Sequence, residues 1–380
     1  MFFLPTLLLF ILATIIQMVL LFIFKWRNTD KRNTIKENAQ SCSVIICAKN
    51  EASNIPQFLP KILQQKTEDG LLWEVLFVDD GSTDNTAQII EDLQKEYAQL
   101  NYLYLHPDKN KKFSGKKNAL FAGIKAAKYN TIVLTDADCA PKSDDWLSHL
   151  LQQPKDIVLG YGAYQYHDSF LNKCIRWETV HTFMQYASFT HIGLPYMGVG
   201  RNLVYRKEQV LPLFTDAGFV KNFALTPSGD DDLIVATISN AQNTQVLTKP
   251  NTHTISIPKF TWKAWWIQKK RHSSTGKYYS LKIKLLLGLY AISHSLFWWL
   301  GLALLIATIC GDHHKHNLWL LALMLGISRI TLYWINALIW YKQLGEKKLS
   351  LFYPLGDWGW ALYNVILSPY IFWKNKQQWK

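Results

Sequence analysis

The 380-residue sequence predicts an α/β domain, a mostly parallel sheet flanked by helices, joined to transmembrane helices. Three observations predict it. Short apolar runs alternate with stretches of helical periodicity between residues 41 and 140, the pattern of a sheet covered by helices. Each of the clearest runs ends in acidic or amide residues. Uncharged stretches long enough to cross a bilayer stand early and late in the chain.

The elements follow in order. Residues 2–24, FFLPTLLLFILATIIQMVLLFIF, carry no charge. No basic segment precedes this run and no small-residue cleavage site follows it, so residues 1–25 read as a retained anchor and not a secretion signal. Lys25, Arg27, Lys31, Arg32 and Lys36 come next, in and around a basic linker over 26–40. By the positive-inside rule they place the body on the cytoplasmic face of the inner cell membrane. A globular domain then extends over 41–258. "SCSVIICAKNEASNIPQFLPKILQQ" opens as a strand, turns at Lys49-Asn50-Glu51 and continues as an amphipathic helix. "WEVLFVDDGSTDNTAQIIEDLQKEY" repeats the design, with Leu76, Phe77 and Val78 as strand, Asp79 to Asp84 as turn, and Ile89, Ile90 and Leu93 at helical spacing. "LNYLYLHP" reads as strand, "GKKNALFAGIKAAKY" as helix and "TIVLTDADC" as strand again.

Beyond the domain, Trp262, Trp265 and Trp266 alternate with Lys259, Lys263, Lys269 and Lys270, an amphipathic interfacial region over 259–283. Apolar stretches at 285–310 and 318–340, with a weaker one at 351–373, make 284–373 a membrane-spanning and interfacial part, ahead of a basic tail at 374–380. Composition admits either a span or an interfacial helix for 351–373. "GDHHKHN" between the first two stretches is a hairpin turn whose histidines read as exposed loop. Arg329 falls inside a span, where a charge must face protein or water, and Asp357 is its candidate partner.

The formal net charge is +13, but lysine and arginine cluster beside the apolar segments and no nucleic-acid-binding motif accompanies them. Membrane lipids are the implied partner, not nucleic acid. Cys42, Cys47, Cys139, Cys174 and Cys310 lack paired metal-ligand spacing and read as buried thiols.

The acids carry the chemistry. Ligands of such sheets bind beyond the carboxyl ends of the strands, and Asn50-Glu51, Asp79-Asp80 and Asp136-Asp138 all fall there. Asp136 and Asp138 are two apart, so along an extended chain they face one side. Their repulsion calls for a cation, and Mg2+ or Mn2+ prefers such oxygen ligands while completing its shell with water and phosphate.

Taken together, "AKNEASNI", "VDDGSTDNT", "GKKNAL", "TDADC", "GVGRNLVYRK", "SGDDDLI" and "QKKRH" resemble the family 2 glycosyltransferases over residues of about 40 to 275. That resemblance implies the GT-A nucleotide-sugar-binding fold and inversion of the anomeric centre. Ala48, Asn50 and Glu51 would line the nucleoside pocket, Asp79 and Asp80 would accept hydrogen bonds from base and ribose, and Lys116 would meet base or diphosphate. Asp136 would touch the donor as well as hold the metal with Asp138. Gly198, Gly200, Arg201 and Asn202 would lie at donor sugar or acceptor, or form an ordinary turn. Of three consecutive aspartates, Asp231 is preferred over Asp230 as the base, with Asp232 in support and Ser228 or an aspartate as a possible cap for a helix over 231–239. Gln268 and Arg271 match the family's Q-x-x-R-W, except that His272 replaces the tryptophan, which puts the acceptor in question.

The implied reaction moves a sugar from a nucleotide sugar, UDP-linked by family preference, to a lipid or lipid-linked acceptor. A processive polysaccharide synthase and a non-catalytic nucleotide-binding membrane protein are the alternatives.

Overall fold

The computed structural model describes residues 3–27, 41–107, 112–226, 228–310 and 318–367. Lys31, Arg32 and Lys36 of the linker, the histidine loop at 311–317 and the basic tail lie outside the described residues.

The polypeptide begins with α1 (Phe3–Ile23) and then alternates β1 (Ser41–Ala48), α2 (Ile55–Leu63), β2 (Leu72–Asp79), α3 (Thr86–Glu96), β3 (Leu100–Tyr104), α4 (Lys116–Ala126) and β4 (Thr131–Asp136). It continues through β5 (Cys139–Pro141), α5 (Trp146–Leu151), β6 (Ile157–Leu159), β7 (Gly162–Tyr164), α6 (Phe170–His191), β8 (Leu203–Arg206) and α7 (Lys207–Val210). Next come α8 (Ala217–Leu225), α9 (Asp230–Ile238), β9 (Thr244–Val246), β10 (Thr254–Ser256) and α10 (Trp262–Ser273). The last three helices are α11 (Leu281–Ile309), α12 (Leu318–Gln343) and α13 (Tyr353–Leu367).

The main sheet has seven strands in the order β3-β2-β1-β4-β8-β6-β9, and a small sheet is ordered β5-β10-β7. Pairing is parallel from β3 to β4, and β8 runs antiparallel between β4 and β6. The mostly parallel sheet read from the sequence is therefore present. β1 is buried on both faces because both are covered. Val44 and Ile46 pack toward Ile55, Leu59, Ile90 and Trp146, while Ile45 and Cys47 pack toward Ala119, Leu120 and Ile124. This alternation is the strand period of two expressed as two cores.

Register sets the site. Ala48 pairs with Asp79 and Cys47 with Asp136, so the three central strands end level. Gly123 lets α4 lie directly on them: a Cβ there would come within 2.9 Å of Ile45 Cγ2 and 3.0 Å of Val78 Cγ2.

Among the described residues, three helices, α1, α11 and α12, are long and apolar enough to cross a membrane. They expose leucine, isoleucine, valine and phenylalanine outward, including Val19, Phe22, Leu285, Ile292 and Leu320, as lipid-facing helices do. Their interior packs Leu7, Phe10, Phe297 and Leu304 around a buried polar cluster. Arg329 donates to Asp357 through both terminal nitrogens, to Gln17 Oε1 at 3.0 Å, and lies 3.0 Å from His294 Nδ1. The expected Arg329–Asp357 pair is thus formed, fully buried.

The described part of the 351–373 stretch is α13, whose 15 residues make about 22 Å at 1.5 Å per residue, short of a bilayer core; residues 368–373 lie outside the described residues. The tryptophans of α10 divide: Trp262 is exposed, but Trp265 turns inward and donates to Glu178 at 3.4 Å. Cys42, Cys47 and Cys139 are buried as expected, whereas Cys310 is exposed.

Candidate active site

The rim of β1 and β2 is an interlocked turn. Asn50 takes a left-handed φ of 54°, which asparagine tolerates better than most residues. Its N–H donates to Ser82 Oγ at 2.8 Å and its Oδ1 accepts from the Thr83 N–H at 2.8 Å. Ala48 closes the same turn by accepting the Asp80 N–H at 2.9 Å. Glu51 is buried, with Oε2 accepting from Asn54 Nδ2 at 2.5 Å.

Asp79 and Asp80 divide the work expected of them jointly. Asp79 is fully buried, and its two oxygens accept from the Ser82 N–H at 2.7 Å and the Tyr102 hydroxyl at 2.9 Å. That carboxylate shapes the loop from within and is closed to a ligand in this conformation. Tyr102 was not legible as a partner, since strand periodicity says only which face a residue takes.

β4 ends at Asp136, and the turn through Ala137 leaves both aspartates partly accessible at the rim. Lys116, first residue of α4, donates to Asp136 Oδ1 at 2.6 Å and lies 3.5 Å from Asp230 Oδ2. Burial opposes its charge, but Asp136, Asp230 and Asp231 outweigh burial and hold the ammonium well above the lysine range. Burial likewise pushes Asp136 up, and Lys116 more than offsets it, leaving that carboxyl low. Asp138 has no such partner: burial, then Asp136 and Glu51, raise it to about 6.

The second acidic cluster faces the first across Lys116. Gly229, at φ 82°, caps α9, so neither Ser228 nor an aspartate side chain serves as the cap, and the helix starts at Asp230. Asp231 accepts the Gly200 N–H at 2.5 Å and the Asp232 N–H at 3.0 Å. Burial and Asp230 raise its carboxyl to about 6. Asp232 turns away to Thr275 and Tyr279, the supporting position expected of it.

The glycine-rich stretch splits by role. Gly200 sits against Asp231 and Lys116, whereas Gly198 packs on Leu159, Val235 and Leu203. Arg201 stacks over Tyr164 at 4.2 Å and bears electrostatically on Asp136 and Asp138. Asn202 is buried structure, bonded to Tyr161 O, Thr252 O and Trp146 Nε1. On α10, Gln268 and Arg271 share a face; Arg271 lowers Asp136, and its Nε is buried without a partner.

Among the described residues no group of three or more His, Cys, Asp or Glu side chains forms a ready metal cage. The donor set still fits a hard cation. Two rim carboxylates, one held by an ammonium and one raised by burial and by neighbouring acids, suit an ion that takes its remaining ligands from water and phosphate.

Residues 43–207 match the family described as glycosyl transferase family 2. A 4,4'-diaponeurosporenoate glycosyltransferase of Staphylococcus aureus is 30% identical over 131 residues, 34% of this chain and 32% of the relative. A poly-beta-1,6-N-acetyl-D-glucosamine synthase of Staphylococcus epidermidis is 30% identical over 108 residues, 28% of this chain and 24% of the relative. The matched stretch spans a third or less of these curated relatives. A mannosyltransferase from Pyrobaculum calidifontis, solved with GDP-Man and Mn2+, superposes with a TM-score of 0.53 at 17% identity, covering 93% of this chain and 99% of that one. That likeness shows the fold. Residues 43–207 thus match glycosyl transferase family 2, and this domain has a GT-A fold.

Proposed function

We propose that the protein is an inverting glycosyltransferase that moves a sugar from a nucleotide-sugar donor, UDP-linked, to a lipid or lipid-linked acceptor at the cytoplasmic face of the cell membrane. The observation that carries this reading is the facing pair of acidic clusters, Asp136–Asp138 and Asp230–Asp231, at the level ends of β1, β2 and β4 with Lys116 between them. The Pyrobaculum relative's GDP-Man and Mn2+ support a nucleotide sugar and a divalent cation in general.

In this reading Ala48, Asn50, Glu51 and Asp80 line the nucleoside pocket, and Asp79 holds its loop. Asp136 and Asp138 would hold Mg2+ or Mn2+, which supplies Lewis acidity at the diphosphate. Lys116 and Arg271 present positive charge to the departing nucleoside diphosphate, and Gln268 orients the acceptor beside it. Asp231 takes the acceptor hydroxyl's proton as that oxygen attacks the anomeric carbon from the face opposite the leaving group. A carboxyl raised to about 6 is matched to that task. Asp230, its neighbour, contributes the like charge that raises it.

A thermal-shift screen of nucleotide sugars with Mn2+ on detergent-purified protein tests the reading. Stabilisation by a UDP-sugar that needs Mn2+ and vanishes in Asp138→Asn is expected. Equal stabilisation of the variant, or none by any nucleotide sugar, would refute it.

A further inference from the structure

α10 carries Gln268 and Arg271, yet it has no fully buried residue of its own. Apolar packing alone therefore does not fix its position. What holds it is a carboxylate on another helix. Glu178 of α6 is buried, 5% exposed, and accepts three hydrogen bonds. Lys269 Nζ reaches Oε1 at 2.7 Å, Trp265 Nε1 reaches Oε2 at 3.4 Å, and the Tyr363 hydroxyl reaches Oε1 at 2.6 Å. Trp265 and Lys269 are four apart, so one face of α10 is pinned at both ends of a turn. Tyr363 lies on α13, which is itself anchored in the membrane bundle through Asp357 and Arg329.

A buried carboxylate is costly unless paired, so these donors and Glu178 hold one another in place. We propose that Glu178 is a positioning residue: it seats α10, and with it Gln268 and Arg271, over the donor site, and the membrane bundle sets that seat through Tyr363. The inference rests on the transferase reading for the role of α10, while the clamp itself is a property of the fold.

The test uses the full chain in lipid nanodiscs and the variants Glu178→Gln, Lys269→Met, Tyr363→Phe and the Glu178→Gln/Lys269→Met double. Glu178→Gln should speed amide exchange across residues 262–273 by about tenfold, the scale of losing a charged, buried hydrogen bond. Exchange in β1 and β4 should stay as in wild type. The kcat should fall about tenfold and Mn2+·UDP affinity by a smaller factor, because Arg271, which faces the diphosphate, rides on α10 while Asp136, Asp138 and Lys116 stay in place. Tyr363→Phe, which deletes one oxygen, should shift both readouts in the same direction by less. The double variant should lose no more than the worse single, the signature of one shared contact. Unchanged exchange in α10, faster exchange that spreads equally to β1 and β4, or multiplying losses in the double would each overturn the proposal. A wild-type protein that fails to bind Mn2+·UDP would instead overturn the transferase reading, and the exchange comparison would still decide the clamp.

Discussion

Replacing Lys116 with methionine keeps most of the side chain's volume and removes an ammonium that meets Asp136 at 2.6 Å and Asp230 at 3.5 Å. At an effective dielectric near 20, unit charges about 3 Å apart attract by roughly 5 kcal/mol. Desolvation of the ammonium and solvent at this partly exposed pair cancel much of this, so stranding its partner costs less than the roughly 3–5 kcal/mol of a fully buried pair. The sign with pH follows from Asp136. Burial pushes its carboxyl up, Lys116 overrides burial and brings it below the ordinary value, so the pair stabilises above the unfolded value and fades as pH falls through the folded one. Without Lys116, Asp136 and Asp231 lose the charge that lowers them, and each takes up a proton more readily. The variant's deficit should therefore be largest near pH 8, on the order of 10 °C in Tm, and shrink toward pH 5 as these carboxyls are neutralised. Mn2+ should restore much of the loss at pH 8 by supplying the missing charge. Thermal unfolding of both proteins at the two pH values, with and without Mn2+, reads all of this. An equal deficit at both pH values, or no rescue by Mn2+, would show that Lys116 is not the cation of this cluster.

The pH profile of kcat should fall about tenfold per unit below about pH 6, where Asp231 becomes protonated, and Asp230→Asn should move that limb to lower pH by removing a like charge. Gly123→Val should destabilise by about 1–3 kcal/mol in denaturant titration, because its side chain would meet Ile45 and Val78 and lift α4, which bears Lys116. Arg329→Met should cost about 3–5 kcal/mol by stranding Asp357, while Arg329→Met/Asp357→Leu should recover most of it in the same unfolding assay. Mass spectrometry of the reaction product should show one added sugar; a ladder of lengths would favour the synthase reading.

The sheet was legible because its strands are short, β-branched and closed by acids, and a parallel ladder leaves few registers once both faces are buried. The rim acids were legible for the same reason: each follows its strand directly. Asp79 shows where that logic stops. Its place at the rim followed from position, but the direction of its carboxylate depends on Tyr102 from a neighbouring strand and on Ser82 in the turn. Glu178 was invisible altogether, since its three donors come from residues 87, 91 and 185 positions away and no periodicity joins them. Arg329 and Asp357 could be paired from sequence only because a charge inside an apolar span has so few permissible partners.

That buried pair also bears on the choice between the proposed single-sugar transferase and a processive synthase. A protein that extrudes a growing glycan must offer its polar interior to the polymer. In this bundle the polar groups engage one another instead. Gln17 donates to Ser293 Oγ at 2.8 Å and to Tyr290 O at 3.1 Å while accepting from Arg329. His294 Nε2 lies 2.8 Å from Asp357 O, and Asn336 Nδ2 donates to Leu21 O at 2.9 Å. Phe297 and Tyr333 flank the guanidinium at 4.5 and 5.1 Å. Opening a lumen here would break an ion pair whose partners have no water to turn to, at a cost of several kcal/mol. The described helices hold α13 through this pair, and Tyr363 of α13 in turn bonds Glu178, which bonds Lys269 of α10.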